Sequence, residues 1–373
     1  MGEELKKTAL YEQHAHLQAK LIDFSGWKMP ISYQSVLAEH HHVRSKLGVF
    51  DVSHMGEFLV RGQDAQAYLQ FLTINDVDRL GIGQGQYTAI CNKSGGMIDD
   101  LILYRTGEQE FFICVNAANI SKDFDWFKGQ LAGFNGVELE NASDSWSQIA
   151  VQGPNSQAAI MSLVNAQDQE RVVDLPYTHI TEISFGGTPC KLARTGYTGE
   201  KGYEIYLPNS AAVACWQALL ATEPQTQIKP IGLGARDTLR LESCYLLYGN
   251  DMDESVSPLE AGIAWATKLE GADFCGKQAL LDQKAAGVPR KLCAFLFEDQ
   301  GVPRKGMRVL KGGEELGLVT SGSVLPTIGG SGGLALVKTD QAKVGDIVEV
   351  DVRGKLKKAK LVKKPFYKAK TKD

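Results

Sequence analysis

No stretch of this 373-residue chain is apolar for anything near the roughly 20 residues that cross a bilayer, so a membrane partner is not expected. The opening Met1-Gly2-Glu3-Glu4-Leu5-Lys6-Lys7 lacks the apolar core of a secretory signal, and its early acids argue against a mitochondrial presequence. Lys6 stands where a myristoylation signal wants Ser or Thr. A cytoplasmic setting is therefore expected. Cys-x-x-Cys spacing is also missing. The seven cysteines (Cys91, Cys114, Cys190, Cys215, Cys244, Cys275, Cys293) are scattered and odd in number, and they read as reduced packing thiols. No Gly-x-x-x-x-Gly-Lys-Ser/Thr, Gly-x-Ser-x-Gly or His-Glu-x-x-His pattern occurs, which withdraws support from nucleotide hydrolysis, serine hydrolysis and zinc peptidase chemistry. Gly81-x-Gly83-x-Gly85 neither follows a buried strand nor opens a helix, so it is no dinucleotide loop. A net charge of -4 gives no overall pull on a polyanion, and nucleic acid is not expected as a partner.

What is present is an ordinary globular composition, 43% hydrophobic and 23% charged, long enough for two or three domains. Helical stretches are expected over 10–21 and 35–46, with an aromatic turn at Phe24-Ser25-Gly26-Trp27 between them. His40-His41-His42 falls within the second helix. Consecutive helical positions point different ways, so these read as packed and surface histidines, and no metal site is expected. Residues 48–62 read as strand and turn. A helix over 64–72, strands over 88–91, 98–105 and 111–116, and a helix over 120–131 complete a split β-α-β sandwich across roughly 52–140. Strand 148–153, strands near 180–194 and 203–207, and helices over 211–220 and about 234–245 follow. Beyond about residue 287, short β segments at 292–297, 306–311, 315–320, 333–338, 347–352 and 356–363 alternate with Gly, Pro and Ser turns, as in a small antiparallel barrel or sandwich. The basic run Arg353–Lys372 reads either as a solvated edge strand guarded by lysines or as an electrostatic dock for an acidic partner.

Chemistry is signalled most clearly at Ser94-Gly95-Gly96-Met97-Ile98-Asp99-Asp100-Leu101-Ile102-Leu103-Tyr104, where two acids sit at the mouth of an apolar strand. Counting by twos puts Asp100 with Ile98, Ile102 and Tyr104, and Asp99 with Leu101 and Leu103. A buried carboxylate needs a partner or a ligand. Asp99 reads as a cap of the preceding turn, and Asp100 as a functional carboxylate. Further along, Glu204 shares a strand face with Tyr206, and Arg236 lies in the first turn of its helix, where the dipole disfavours a cation. They would either form an ion pair or hold a flat heterocycle with amide-like edges.

The ordered motifs Gly-Trp (26–27), Phe-Asp-Val-Ser-His-Met (50–55), Gly-Gly-Met-Ile-Asp-Asp-Leu (95–101), Val-Asn-Ala-Ala-Asn (115–119), Gln-Gly-Pro (152–154), Gly-Tyr-Thr-Gly-Glu (196–200), Gly-Leu-Gly-Ala-Arg-Asp-Thr-Leu-Arg-Leu-Glu (232–242), Leu-Tyr-Gly-Asn-Asp-Met-Asp-Glu (247–254) and Thr-Ser-Gly (320–322) closely resemble those of the aminomethyltransferases, the T-proteins of the glycine cleavage system. The resemblance spans nearly the whole chain. It implies an α+β, three-domain cloverleaf around a central hole that holds tetrahydrofolate. Domain 1 would be 1–51 plus 141–245, domain 2 would be 52–140 plus 246–285, and a β-barrel or sandwich domain would be 286–373. The implied reaction moves the methylene carbon of an aminomethyl group, carried on the lipoyl arm of the H-protein, to tetrahydrofolate and releases ammonia. Asp100 matches the family's acid near the folate amines, Glu204 the acid that holds the pterin, and Tyr87, Asn116, Tyr197, Arg236 and Trp265 match pocket positions. A monomer that meets the lipoylated H-protein is implied. Relatives fused to flavin domains need a long N-terminal dinucleotide fold, absent here. A folate-binding regulatory protein of tRNA modification or iron–sulfur assembly is the alternative, but its Lys-Gly-Cys-x-x-Gly-Gln motif is replaced by Ser255-Val256-Ser257-Pro258-Leu259-Glu260-Ala261.

Overall fold

Residues 4–369 are described by the structure, a computed structural model. Met1, Gly2 and Glu3, at the start of the expected first domain, and the last lysines of the basic run lie outside the described residues. The chain opens with a helix, Tyr11–His16, much shorter than the expected 10–21. Gln18 at φ 55° takes the backbone out of the helix, and Lys20 already pairs with Ser32 in a hairpin of strands Lys20–Phe24 and Trp27–Ser32. Ser25 and Gly26, at φ 53° and 81°, make the tight turn that a twisted hairpin prefers. The second helix, Val36–Ser45, is capped by Ser35, whose Oγ accepts from Ala38 N at 3.2 Å. Its three histidines diverge as the helical pitch demands. His40 is buried between Thr238 and Thr327, each hydroxyl 2.8 Å from a ring nitrogen, while His41 is exposed and His42 reaches Gln227 O at 2.7 Å.

The apolar run 48–62 is two strands rather than one, and they lie in different sheets. Leu47–Asp51 enters a six-stranded sheet ordered Ile180–Phe185, Thr188–Ala193, Gly202–Pro208, Trp146–Gln152, Leu47–Asp51, Ile228–Pro230. Gly56–Arg61 enters an antiparallel five-stranded sheet ordered Gly85–Cys91, Met97–Gly107, Glu110–Val115, Gly56–Arg61, Glu138–Asn141. The corner between them is held by Asp51, which accepts from Ser53 N, from the Thr8 hydroxyl at 2.7 Å and from His14 at 2.8 Å. Helices Ala65–Leu72 and Ile120–Gly129 cover one face of the five-stranded sheet through Leu69, Leu72, Phe58 and Phe127. Its other face packs Tyr104, Phe112 and Cys114 against Ala193 and Tyr206 of the six-stranded sheet. The two sheets thus share a wall, and the second half of strand Met97–Gly107 lies on it.

Two details of this sheet depart from the sequence reading. The edge strand Glu138–Asn141 was not expected, because its sequence, Glu-Leu-Glu-Asn, carries too little apolar content to mark a strand. The alternation through 98–104 also breaks at its start. Asp99 pairs with Ile90 and Met97 with Cys91, leaving Ile98 as a bulge. Ile98 therefore packs under the helices with Leu101 and Leu103 rather than beside Asp100. The tight approach of segment 252–256 to this strand requires Gly96, where a Cβ would stand 1.8 Å from Glu254 O.

Beyond residue 290, strands Arg290–Phe297, Ser331–Lys338, Glu314–Val324, Arg308–Lys311, Ile347–Val352 and Lys355–Val362 close into an antiparallel barrel. The basic strand within it is paired on both sides, so it is no edge strand; a closed barrel has none. The barrel sits against helix Leu233–Glu242 through Leu241, Leu292, Ala294, Leu325 and Leu334. A buried polar joint completes the contact. Asp251 accepts from Arg240 at 3.0 Å, from the Thr320 hydroxyl at 2.6 Å and from the Ser321 hydroxyl at 2.9 Å, so the motifs at 232–242, 247–254 and 320–322 meet in one cluster.

Candidate active site

Asp99 and Asp100 lie side by side in strand Met97–Gly107 but face opposite ways. Asp99 is fully buried within the strand and does not cap the preceding turn; that turn is closed by Asn92, whose Oδ1 accepts from Ser94 N and Gly96 N. The bulge at Ile98 draws Asp99 under the sheet, where Asn116 and Asn119 donate to its Oδ1 at 2.9 and 2.8 Å. Asp100 accepts from the Tyr87 hydroxyl at 2.9 Å and from Asn116 Nδ2 at 2.8 Å. One amide thus bridges both carboxyl groups. Burial, then the charge of Asp99, push the Asp100 carboxyl up to about 7 despite the Tyr87 and Asn116 hydrogen bonds that oppose the rise. Tyr87 stacks on Trp265 at 5.8 Å, and Trp265 itself is 63% exposed, which puts it at the rim.

Glu204 and Arg236 form a second group. Arg236 lays its guanidinium over the Tyr197 ring at 4.4 Å, and Tyr197 stacks on Tyr245 and donates its hydroxyl to Leu246 O. Among the described residues no hydrogen bond or ion pair joins Glu204 to Arg236, so the ion-pair reading of these two is set aside. They sense one another at longer range: burial lifts the Glu204 carboxyl, and the Arg236 charge pulls it back. The Tyr206 hydroxyl, 3.5 Å from Glu204 Oε2, supports the carboxylate from beneath, and Gln148 donates to that hydroxyl at 3.2 Å. A guanidinium whose donors have no hydrogen-bond partner among the described residues, beside a buried carboxylate with acceptor capacity to spare, is arranged for an external group. Asp100 and Tyr197 in turn raise one another's neighbours: Tyr87 feels Asp100 and Tyr197, and Tyr197 feels Asp100. All seven side chains singled out in the sequence thus fall into two groups that approach each other through Tyr87 and Tyr197.

The loop bearing Tyr197 is fixed by Gln152. Its amide donates to Thr195 O at 3.1 Å and accepts from the Thr198 hydroxyl at 2.9 Å, filling space where Cβ atoms at Gly196 and Gly202 would collide at 1.9 and 2.2 Å. Gln152, Asn119 and Asp123 were missed as site-shaping residues. Asp123 could have been found: it falls on the apolar stripe of Ile120, Phe124 and Phe127, an improbable place for an unpartnered acid. Among the described residues, no three His, Cys, Asp or Glu side chains converge as a metal site.

The fold is a mixed α+β architecture with a closed antiparallel barrel at its C-terminal end. Residues 10–271 match the model of the GCVT N-terminal domain, and residues 290–368 that of the glycine cleavage T-protein C-terminal barrel domain. An aminomethyltransferase of Desulfitobacterium hafniense is 44% identical over 98% of this chain and 99% of its own length, and one of Thermosipho melanesiensis is 45% identical over 99% of each. The crystal structure of glycine cleavage system aminomethyltransferase T from Bartonella henselae superimposes with a TM-score of 0.90 at 32% identity, covering 98% of this chain and 99% of that one. The chain belongs to the aminomethyltransferase family of the glycine cleavage system. These relatives favour the transferase over the regulatory alternative.

Proposed function

We propose that this aminomethyltransferase takes its one-carbon unit from the lipoylated H-protein and passes it to tetrahydrofolate, with Asp100 beside the reacting nitrogens and Glu204 and Arg236 on the pterin. The observation that carries this reading is the Arg236 guanidinium, without a hydrogen-bond partner among the described residues and within electrostatic reach of the buried Glu204 carboxylate, over a Tyr197 ring that also feels Asp100. A pterin is flat and presents donors and an oxo acceptor at its edges, so Glu204 would accept from its amino and ring N–H groups and Arg236 would donate to an oxygen. The stacked Tyr87 and Trp265 suit the aryl part of the ligand, and Asn116 and Tyr197 complete the wall. Tetrahydrofolate supplies a secondary amine that accepts the carbon. Asp100, when ionised, offers negative charge where positive charge develops and accepts a proton from that amine; Tyr87 and Asn116 hold it in place for both roles. The domain division 1–51 plus 141–245, 52–140 plus 246–285 and 286–373 is retained, as are a monomeric state and a cytoplasmic setting. No helix of the described residues is long and apolar enough to cross a membrane.

Ammonia release from aminomethyl-loaded H-protein, measured with and without tetrahydrofolate, tests the proposal. Strong folate-dependent release with methylenetetrahydrofolate as product is expected; folate binding without turnover would overturn it. A second expectation concerns Glu204 alone. Glu204→Ala removes a charged acceptor from the binding wall and weakens tetrahydrofolate affinity by roughly 10- to 100-fold, the worth of one or two hydrogen bonds to a charged group. Isothermal titration checks it, and an unaltered dissociation constant would remove Glu204 from the ligand.

A further inference from the structure

Beneath Asp100 lies a carboxyl group that the proposed reaction does not use. Asp123, on helix Ile120–Gly129, is fully buried, and among the described residues neither of its oxygens receives an N–H or hydroxyl donor. Asn119, one helical turn earlier on the same face, donates to Asp99 at 2.8 Å, which sets the fully buried carboxyl groups of Asp99 and Asp123 against one another, each within reach of the other's charge. Two carboxylates cannot share such a contact; one must carry a proton. The hydrogen-bond pattern decides which. Burial raises the Asp99 carboxyl, but Asp99 accepts from Asn116 Nδ2, Asn119 Nδ2 and Asn116 N, at 2.9, 2.8 and 3.3 Å, and these donors oppose the rise and favour its ionised form over that of Asp123. Asp123 accepts from none, which favours its neutral form.

We propose that Asp99 and Asp123 hold a single proton between them, carried on Asp123, and that Asp99 is the fixed negative charge that sets the proton affinity of Asp100. Burial and the Asp99 charge push the Asp123 carboxyl far above the usual range, in agreement with this placement. Other elements supply the remaining charged and titratable neighbours. Lys122, from the same helix as Asp123, draws both acids down, but its ammonium is bonded to Ile98 O and to the Tyr248 hydroxyl rather than to either carboxyl group. Tyr248 and Tyr87 are both kept neutral by burial, and Tyr197 faces Asp100 from the six-stranded sheet's side. The three tyrosines stay neutral, so the negative charge that acts on Asp100 is that of Asp99. Asp123 is a positioning residue. As a neutral donor it keeps Asp99 ionised and immobile, and Asn116 carries that fixed geometry to Asp100.

Two isosteric variants separate this arrangement from a merely packed pair. Asp99→Asn removes a true charge, so the Asp100 midpoint, followed by carboxyl carbon NMR of the folate-free protein, should fall by roughly one to two pH units, as expected for a charge a few ångströms away at intermediate dielectric. Asp123→Asn exchanges one neutral donor for another, and the midpoint should stay where it is. If both variants move it, Asp123 is ionised and the proposal fails; if neither does, Asp99 does not control Asp100 and the proposal fails equally. The unsubstituted protein offers an independent check, since the Asp123 carboxyl signal should remain that of the acid from pH 5 to 9. The kinetic arm rests on the reading of Asp100 as the carboxylate at the reacting nitrogens. Should the NMR midpoint shift in Asp99→Asn while the pH profile of turnover does not follow, that reading falls and the shared proton stands.

Discussion

Asp100→Asn should lower turnover on the order of 10²- to 10³-fold while leaving tetrahydrofolate affinity within a small factor of the parent, because the amide keeps the shape and loses the charge. The geometry makes this a clean substitution. An Asn at this position keeps the bond from Asn116 when its carbonyl takes the Oδ1 side, and its amide then donates to the Tyr87 hydroxyl oxygen, so one of the two bonds is kept and the other is reversed. The pH profile supplies the second half of the result. With its carboxyl raised to about 7, Asp100 is neutral below that value and ionised above it. If the ionised form acts, kcat/KM rises about tenfold per pH unit up to neutrality and then levels off, and the Asn variant loses this limb altogether. Single-turnover ammonia release across pH 5.5 to 8.5 measures both. A parent-like rate in the Asn variant would remove Asp100 from the chemistry.

Asp251→Ala should cost roughly 3–5 kcal/mol of stability, the usual consequence of stranding one member of a buried ion pair. Arg240 is 2% exposed and would be left with Asp237, a surface partner, and with neutral oxygens of Tyr245 and Ser321. The Ser321 hydroxyl would lose its acceptor at the same time, and the Thr320 hydroxyl would keep only Leu334 O. Thermal denaturation followed by circular dichroism reads this as a lowered midpoint, and an unchanged midpoint would show that the barrel is held by its apolar contact alone. Asp251→Asn, which retains an acceptor, should recover part of the loss.

How far the molecule was legible beforehand depended on whether local pattern or distant contact decided each element. The barrel was readable because its strands alternate and are punctuated by Gly and Pro turns, and closure of the sheet adds no new local signal. Helix Leu233–Glu242 and the strands around Glu204 were found for the same reason. The 48–62 run defeats such reading: apolar residues recur along it with no Pro or paired-Gly turn between them, and only the corner at Asp51, made by Thr8 and His14 from far upstream, shows where one sheet ends and the next begins. Asp99 was misread as a turn cap because the bulge at Ile98 depends on pairing with Ile90 and Cys91, which no count by twos contains. Asp100, Glu204 and Arg236 stand out from their places on strand and helix, Tyr87, Asn116, Tyr197 and Trp265 come from motif resemblance, and the arrangement of all seven into a carboxylate group and a guanidinium group came only from coordinates. Asp123, by contrast, announces itself through helical period once buried acids are searched for.

The joint between the barrel and helix Leu233–Glu242 makes the C-terminal module a keel rather than an appendage. The helix carries Arg236 toward the site near one end and rests Leu241 among Leu292, Leu325 and Leu334 at the other. Whatever shifts those leucines tilts the helix and re-aims its guanidinium. Sequence drift in the barrel wall, dozens of residues from anything that could touch a ligand, would therefore be felt as a change in grip, and a variant catalogue that sorted positions by distance from the site would file it in the wrong drawer.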